Sequence, residues 1–138
     1  MENYFHIRLD RQAVNEISAL GLAHLGDGVF ELLVRSQLCA EGRLTQTALH
    51  KATVALVSAP AQAARADRML PLLTEDELSW FKRGRNAHAH HAAPKRASRE
   101  QYGKATGLET LFGALYLLGQ RDRINELFSL TKEEDHAL

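Results

Sequence analysis

Apolar side chains recur at three- and four-residue intervals along most of the chain, which is the spacing of one face of an α-helix. The two-residue alternation that indicates a β-strand is not convincing at any point, and no hairpin signal accompanies it. The pattern therefore predicts an all-α fold of five to seven helices. We expect these helices to form a single domain over residues 1–138.

N-cap residues mark the beginnings of the first helices, because their side chains accept a hydrogen bond from the first turn. Ser18 is placed to begin a long helix over 18–40, with Gly42 just beyond its end. Thr45 is placed to begin the next helix, which we expect to run to about Val57.

The later boundaries follow from the same signals. Ser58 is expected to begin a third helix, with Pro60 in its first turn. Capping boxes, in which a side chain three residues into the helix reaches back to the N-cap, begin at Thr74 and at Ser98. We expect Gly84 to disrupt the last turn of the helix that Thr74 begins. The last two helices are expected over 99–118 and 121–130, followed by a frayed end at 131–138.

The long helix contains two glycines, Gly26 and Gly28, on either side of Asp27. Each glycine lowers helix stability by about 0.5–1 kcal/mol relative to alanine. We therefore interpret them as places where another backbone or a ligand approaches closely. Glu31 and Arg35, one turn apart, are expected to form an ordinary salt bridge. The predicted apolar arc comprises Leu22, Leu25, Val29, Leu32 and Leu33. The predicted polar stripe comprises His24, Asp27, Glu31 and Arg35.

Glu109 lies at the edge of the apolar arc of the helix at 99–118, one turn from Gly113. If this helix packs beside the long one, Asp27 and Glu109 converge at a water-accessible edge. Such a pair suits Mg²⁺, which prefers oxygen ligands and retains several waters. Near a basic surface it indicates phosphodiester cleavage. The alternative is that both carboxylates are solvated or paired structurally. The apolar arc of this helix comprises Leu108, Leu111, Phe112, Leu115 and Leu118.

Composition changes this picture little, but charge changes it more. The chain is 45% hydrophobic and 25% charged, as is usual for globular proteins, and its single cysteine is typical of a reducing cytoplasm. No apolar run is long enough for a membrane span, and the first ten residues do not resemble a signal peptide. Net charge is zero, yet residues 82–104 hold seven Lys and Arg against one acid, which indicates a polyanion-binding face.

Four segments in order resemble one known family. The segment HLGDGVFELLVR at 24–35 resembles the signature helix of ribonuclease III. The segment ATGLETLFGALYL at 105–117 resembles that family's second signature helix, which carries a catalytic glutamate ahead of a glycine. VSAPAQA at 57–63 and KRGRNA at 82–87 resemble motifs of the Mini-III ribonucleases, a subgroup without an appended RNA-binding domain. The resemblance covers about residues 15–128.

The resemblance implies the ribonuclease III endonuclease fold and a homodimer with the signature helices at its two-fold interface. It implies cleavage of double-stranded RNA with Mg²⁺, for which Mn²⁺ can substitute, leaving 5′-phosphate and 3′-hydroxyl ends. The expected substrate is the 23S ribosomal RNA precursor in the bacterial cytoplasm. Asp27 and Glu109 match the essential metal-binding carboxylates.

The chain departs from full-length ribonuclease III in its acids. Leu20 and Ala23 stand where that family has two further glutamates, and Thr106 stands where it has an aspartate. The resemblance therefore implies a sparser acidic site, with more ligand positions filled by water. Gly28 replaces the usual alanine, and we expect it at a tight helix contact.

The candidates for RNA contact come from the basic segment. They are Lys82, Arg83, Arg85, Asn86 and Lys104. The alternative for the first four is a solvated helix end, and the family resemblance favours RNA contact. The histidines at 88, 90 and 91 are expected to lie in a loop along RNA with Lys95 and Arg96 rather than to bind metal. Trp80 and Phe81 are expected in the core or dimer interface.

Two interpretations stay open at this stage. Ser58 is explained by capping, and a role for Ser58 and Gln62 in lining an RNA channel is an alternative. The protein could also be a catalytically weak or inactive dimeric RNA-binding module in ribosome assembly, or a helical protein-interaction domain.

Overall fold

The computed structural model describes residues 1–42, 45–87 and 97–133. Within these ranges the chain forms seven α-helices, two short 3-10 turns and no strand, which confirms the all-α prediction. None of the described helices is long and apolar enough to cross a bilayer. The helices are α1 (Arg11–Asn15), α2 (Ala19–Glu41), α3 (Gln46–Val57), α4 (Ala59–Met69), α5 (Glu75–Ala87), α6 (Arg99–Leu117) and α7 (Arg121–Leu130). The 3-10 turns are Tyr4–His6 and Leu70–Leu72.

The predicted caps are confirmed. Each serine or threonine hydroxyl accepts a hydrogen bond from a backbone N–H in the first turn of its helix, which satisfies a donor that lacks a helical partner. Both hydrogen bonds of each capping box are present, between Thr74 and Glu77 and between Ser98 and Gln101. Gly42 ends α2 in the left-handed conformation that favours glycine. The capping residues are Ser18, Thr45, Ser58, Thr74 and Ser98.

Helix α6 lies at the centre of the fold and packs against α2, α4 and α5. Most of its side chains between Gly103 and Leu115 are buried, as a helix surrounded on several sides requires. The rings of Phe112 on α6 and Phe128 on α7 both pack against Phe30 on α2, with centroids 6.0 and 5.9 Å apart. The predicted apolar arc of α6 is thus confirmed in the core.

The predicted apolar arc of α2 is wrong in part. The side chains that α2 buries most deeply include Phe30 and Val34, while Leu32 is 55% exposed. Val29 and Leu33 are half-buried and line an apolar cavity of about 220 Å³ together with Leu32. Helix α2 is therefore apolar on two sides. The predicted arc contains Leu22, which is fully buried in the core, but it also contains the exposed Leu32 and omits Phe30 and Val34.

Two further expectations require correction. Gly84 does not disrupt α5, which continues to Ala87; it lies against Thr110 of α6, where a side chain would not fit. Thr131 does not fray, because it is buried and its carbonyl accepts a hydrogen bond of 2.8 Å from Arg68. Helix α1 was not predicted. Several residues with sequence predictions lie outside the described ranges: His88, His90, His91, Lys95, Arg96 and 134–138.

Candidate active site

Helices α2 and α6 cross with their backbones in contact. A methyl group on Gly26 would overlap the carbonyl oxygen of Glu109 and lie 2.8 Å from the backbone nitrogen of Gly113. A methyl group on Gly113 would overlap the carbonyl oxygen of Leu22. These two glycines therefore permit a helix separation that no other residue allows. Gly28 is different: a side chain there would meet open space, so its expected tight contact is wrong.

The crossing brings Asp27 and Glu109 together, as the sequence predicts. Asp27 follows Gly26 directly and is exposed, whereas Glu109 is half-buried in the contact. The pKa of Glu109 is raised to about 8. Burial is the largest cause, followed by the negative charge of Asp27 and a hydrogen bond between the two side chains. At neutral pH Glu109 is therefore protonated in the absence of a cation.

Gln62 on α4 completes the surroundings of Glu109. Its side chain is buried, and its Nε2 donates hydrogen bonds to Glu109 Oε2 at 3.4 Å and to the Val57 carbonyl at 2.9 Å. The bond to Glu109 favours the ionised carboxylate and opposes the upward pKa shift in part. Sequence reasoning missed this contact. The signal was a glutamine among the alanines at the start of α4, four residues after the N-cap Ser58.

The charges around the acid pair favour a cation. No lysine, arginine or histidine in the described parts of the chain forms an ion pair with Asp27 or Glu109. Glu31 pairs with Arg35 at 2.9 Å, as predicted, and does not join them. Within the described ranges, no group of three acidic, histidine or cysteine side chains could hold a metal. The donor set is two carboxylates, which suits a hard cation that keeps most of its waters.

The predicted RNA-contact residues divide into two groups. Lys82, Arg83 and Asn86 line one groove of about 490 Å³ along α5. The guanidinium of Arg83 also donates to the Ile17 carbonyl at 3.0 Å, which fixes its position in that groove. The fit of Gly84 against α6 holds this basic face close to the helix that carries Glu109.

The other two residues do not line this groove. Arg85 donates to the side-chain oxygen of Asn86 at 3.3 Å and packs over Gly103. Lys104 forms ion pairs with Asp67 at 2.7 Å and Glu100 at 3.1 Å. The hydrogen bonds to Asp67 and Glu100 raise the pKa of Lys104, and the bond to Asp67 has the larger effect. Lys104 is thus the candidate least available to a phosphate.

Trp80 and Phe81 are buried on α5, as expected for core residues. Their rings cannot stack on bases, because they face other side chains of the core. The indole nitrogen of Trp80 donates to Asn15 of α1 at 3.0 Å, which satisfies its polar atom.

Comparison with known proteins agrees with this architecture. Residues 20–120 match the Ribonuclease III domain. A Mini-ribonuclease 3 from Symbiobacterium thermophilum is 44% identical over 108 residues, which cover 78% of this chain and 82% of the relative. A Mini-ribonuclease 3 from Synechocystis sp. is 43% identical over 128 residues, covering 93% and 87%. The crystal structure of a protein from Fusobacterium nucleatum is similar with a TM-score of 0.76 at 30% identity, covering 85% of this chain and 93% of that chain.

The helical fold, the paired carboxylates and the domain match define the class of protein as an endoribonuclease of the ribonuclease III type. Sequence identity of 44% and 43% to two relatives, over 82% and 87% of their lengths, narrows this class to one family. The chain belongs to the Mini-ribonuclease 3 family, which confirms the family that its motifs resemble.

Proposed function

We propose that this protein cuts double-stranded RNA in a divalent-metal-dependent reaction, with Asp27 and Glu109 as its catalytic and metal-binding carboxylates. The observation that carries this proposal is their convergence without a cationic partner among the described residues. The ion is Mg²⁺, and Mn²⁺ can replace it because both prefer oxygen ligands. When bound, it would supply Lewis acidity to a phosphate oxygen and to the attacking water.

The two carboxylates prepare the site in different ways. Burial and the neighbouring charge of Asp27 keep Glu109 protonated near neutral pH, because its pKa is about 8. Ion binding must therefore release a proton from the pair, and the binding affinity depends on pH. Asp27 is exposed, so a metal-bound water and an RNA phosphate can reach it from solvent.

The groove along α5 supports duplex RNA as the substrate. Lys82, Arg83 and Asn86 present two charges and an amide along one surface, with Arg85 beside them. A-form RNA is recognised mainly through its phosphates, 2′-hydroxyls and shape, which such side chains can contact. Binding should weaken steeply with salt. Lys104 contributes only if RNA displaces Asp67 or Glu100.

The second apolar face of α2 supports the homodimer. Leu32 is 55% exposed and borders the apolar cavity that Val29, Leu33 and Tyr116 help to line. A second copy docked on this face would bury it and bring two acid pairs into one particle, so that each could cut one strand. Sedimentation of wild type and of Leu32→Lys tests this, since the variant should be monomeric at concentrations where wild type is dimeric.

The proposed natural substrate is the precursor of 23S ribosomal RNA in the bacterial cytoplasm. Support comes from the family, since the relatives from Symbiobacterium thermophilum and Synechocystis sp. are bacterial proteins named Mini-ribonuclease 3. Sequencing the ends of ribosomal RNA in cells that lack this protein tests the proposal. Unprocessed ends on the large-subunit RNA would support it, and normal ends would contradict it.

Incubation with Mg²⁺ and a long RNA duplex tests the chemistry. We expect shortened products with 5′-phosphate ends from wild type. Asp27→Asn should reduce the rate by about a hundredfold or more yet still shift the duplex on a gel. Glu31→Gln is the matched control, because Glu31 lies one turn along α2 and pairs with Arg35. If Asp27→Asn cleaves at the wild-type rate, the site is wrong; if wild type only shifts the duplex, the protein is a binding module.

A further inference from the structure

Gln62 is a buried polar side chain that touches the acid pair from a third helix. It lies in the second turn of α4 and is 3% exposed. Its Nε2 approaches Glu109 Oε2 to 3.4 Å, and this hydrogen bond links α4 to α6. A buried donor beside a carboxylate can fix the orientation of that carboxylate.

The break between α3 and α4 fixes which end of the amide faces Glu109. Helix α3 ends at Val57 because Ser58 adopts an extended conformation and begins α4. The N–H of Ala61 then bonds to the Ser58 hydroxyl, and the Val57 carbonyl accepts from Gln62 Nε2 at 2.9 Å instead. A carbonyl cannot donate, so only the nitrogen of the amide can lie between Val57 and Glu109.

Both hydrogens of the Gln62 amide are therefore assigned, one to the Val57 carbonyl and one to Glu109 Oε2. We propose that Gln62 is a positioning residue that holds the Glu109 carboxylate in the orientation that receives the divalent ion. This inference rests on the proposed function, because it requires an ion at Asp27 and Glu109. The Val57 carbonyl, which the end of α3 leaves without a helical partner, accepts the other hydrogen bond from Gln62 and fixes the orientation of its amide.

The pattern of satisfied and unsatisfied atoms agrees with this role. The Oε1 atom of Gln62 is buried without a hydrogen-bond partner among the described residues. A buried acceptor without a partner lowers the stability of the fold. Gln62 thus keeps its Nε2 between the Val57 carbonyl and Glu109, while its Oε1 stays buried and unpaired within the described part of the chain.

Binding of Mn²⁺ to the RNA-free protein, measured by calorimetry, tests the inference together with the Mg²⁺ dependence of duplex cleavage. Gln62→Met keeps an unbranched side chain of similar length without the amide. Gln62→Asn keeps an amide but shortens its reach, and serves where the methionine variant folds poorly. Thr53→Val is the control, because it also removes a buried hydrogen bond, the one from the Thr53 hydroxyl to the Leu49 carbonyl of α3. Thr53 lines a different cavity, together with Cys39, and that cavity does not include Asp27 or Glu109. Asp27→Asn reports whether the ion occupies the proposed site.

We expect both Gln62 variants to bind Mn²⁺ about tenfold or more weakly than wild type. The Mg²⁺ concentration that gives half-maximal cleavage should rise by a similar factor, while cleavage at saturating Mg²⁺ recovers. Thr53→Val should lower the melting temperature without changing either value. Melting curves identify folded variants.

Two results would overturn the inference by itself. One is wild-type Mn²⁺ affinity in folded Gln62 variants when Asp27→Asn binds weakly. The other is an equal loss of affinity in Thr53→Val, which would reveal a general effect of destabilisation. If Asp27→Asn binds Mn²⁺ as wild type does, the proposed site is wrong and the inference fails with it.

Discussion

Two glutamates within the helical core differ in how their charge is balanced. Glu77 on α5 is 5% exposed and receives hydrogen bonds of 2.8 Å from Nε and from the second guanidinium nitrogen of Arg123. Burial by itself raises the pKa of Glu77, but the bonds from Arg123 and Thr74 outweigh it, and the pKa is lowered. Glu109 has a carboxylate neighbour instead of a guanidinium, and its pKa is raised to about 8.

The difference in pKa distinguishes Glu77, whose charge stabilises the fold, from Glu109, whose charge is left for an external cation. A bidentate arginine compensates Glu77 within the chain, so the fold gains from its charge. Glu109 with Asp27 holds negative charge that the described chain does not compensate, so the fold loses when both ionise. A bound cation is the partner that this second arrangement lacks.

The largest expected effect is that of Gly26→Ala. The added methyl overlaps the Glu109 carbonyl, so α2 and α6 must separate at the acid pair while the contact between Glu77 and Arg123 stays intact. We expect a loss of about 3 kcal/mol in the free energy of unfolding. Cleavage should be abolished in protein that remains folded. Urea denaturation and a duplex-cleavage assay provide the measurements, and an unchanged cleavage rate would show that this spacing is unimportant.

The pH dependence of stability should have opposite signs at the two glutamates. For Glu109 the folded pKa is about 8 and the ordinary value 4.5, so the folded protein binds the extra proton between them. The stability of the folded state therefore falls as pH rises from about 4.5 to about 8, and the loss is complete above about 8. In EDTA, Glu109→Gln should equal wild type in acid, exceed it by a growing margin of a few kcal/mol between about pH 4.5 and 8, and keep that margin above about pH 8. A constant difference across this range would contradict the raised pKa.

Arg123→Met should show the reverse dependence. Because the folded pKa of Glu77 lies below 4.5, its stabilisation is present above that pH and is lost in acid. We expect a loss of about 2 kcal/mol at neutral pH, less than for a fully buried pair because the Arg123 side chain is 23% exposed. The loss should shrink as pH falls below about 4, measured by thermal denaturation. Metal affinity should not change.

The smallest expected effect belongs to Gly28→Ala. A methyl group there meets open space, so the variant gains helix propensity without a clash. We expect an increase of about 0.5–1 kcal/mol in the free energy of unfolding. Denaturation of Gly28→Ala and Gly26→Ala side by side distinguishes a glycine that is required by a close helix contact from one that is not. A destabilised Gly28→Ala would indicate a contact that the single chain lacks, such as one with a dimer partner.

Local features of the fold could be predicted from sequence with good accuracy. Caps such as Ser18, Ser58 and Ser98 involve atoms within three residues of one another, so the local sequence determines them. The convergence of Asp27 and Glu109 was also predictable, because each lies within one turn of a glycine that permits a close helix crossing. Their chemical roles remain predictions.

Long-range partners could not be predicted. The choice between two apolar faces of α2 depends on which neighbours pack there, and a helical wheel contains no such information. Lys104 was predicted to contact RNA, yet its ammonium group forms an ion pair with Asp67 of another helix. Gln62 meets Glu109 only because α3 stops at Val57 and redirects the chain. Each of these outcomes depends on contacts between residues distant in sequence.

The contact of main chains at Gly26 and Gly113 has a consequence for how the protein responds to heat. The spacing of the two acids is set by the thickness of two helical backbones, which cannot adjust gradually as side-chain rotamers can. Warming should leave the geometry of the pair almost constant until the helices part. Enzymatic inactivation and loss of ellipticity should then coincide in one cooperative step, without an earlier decline in turnover.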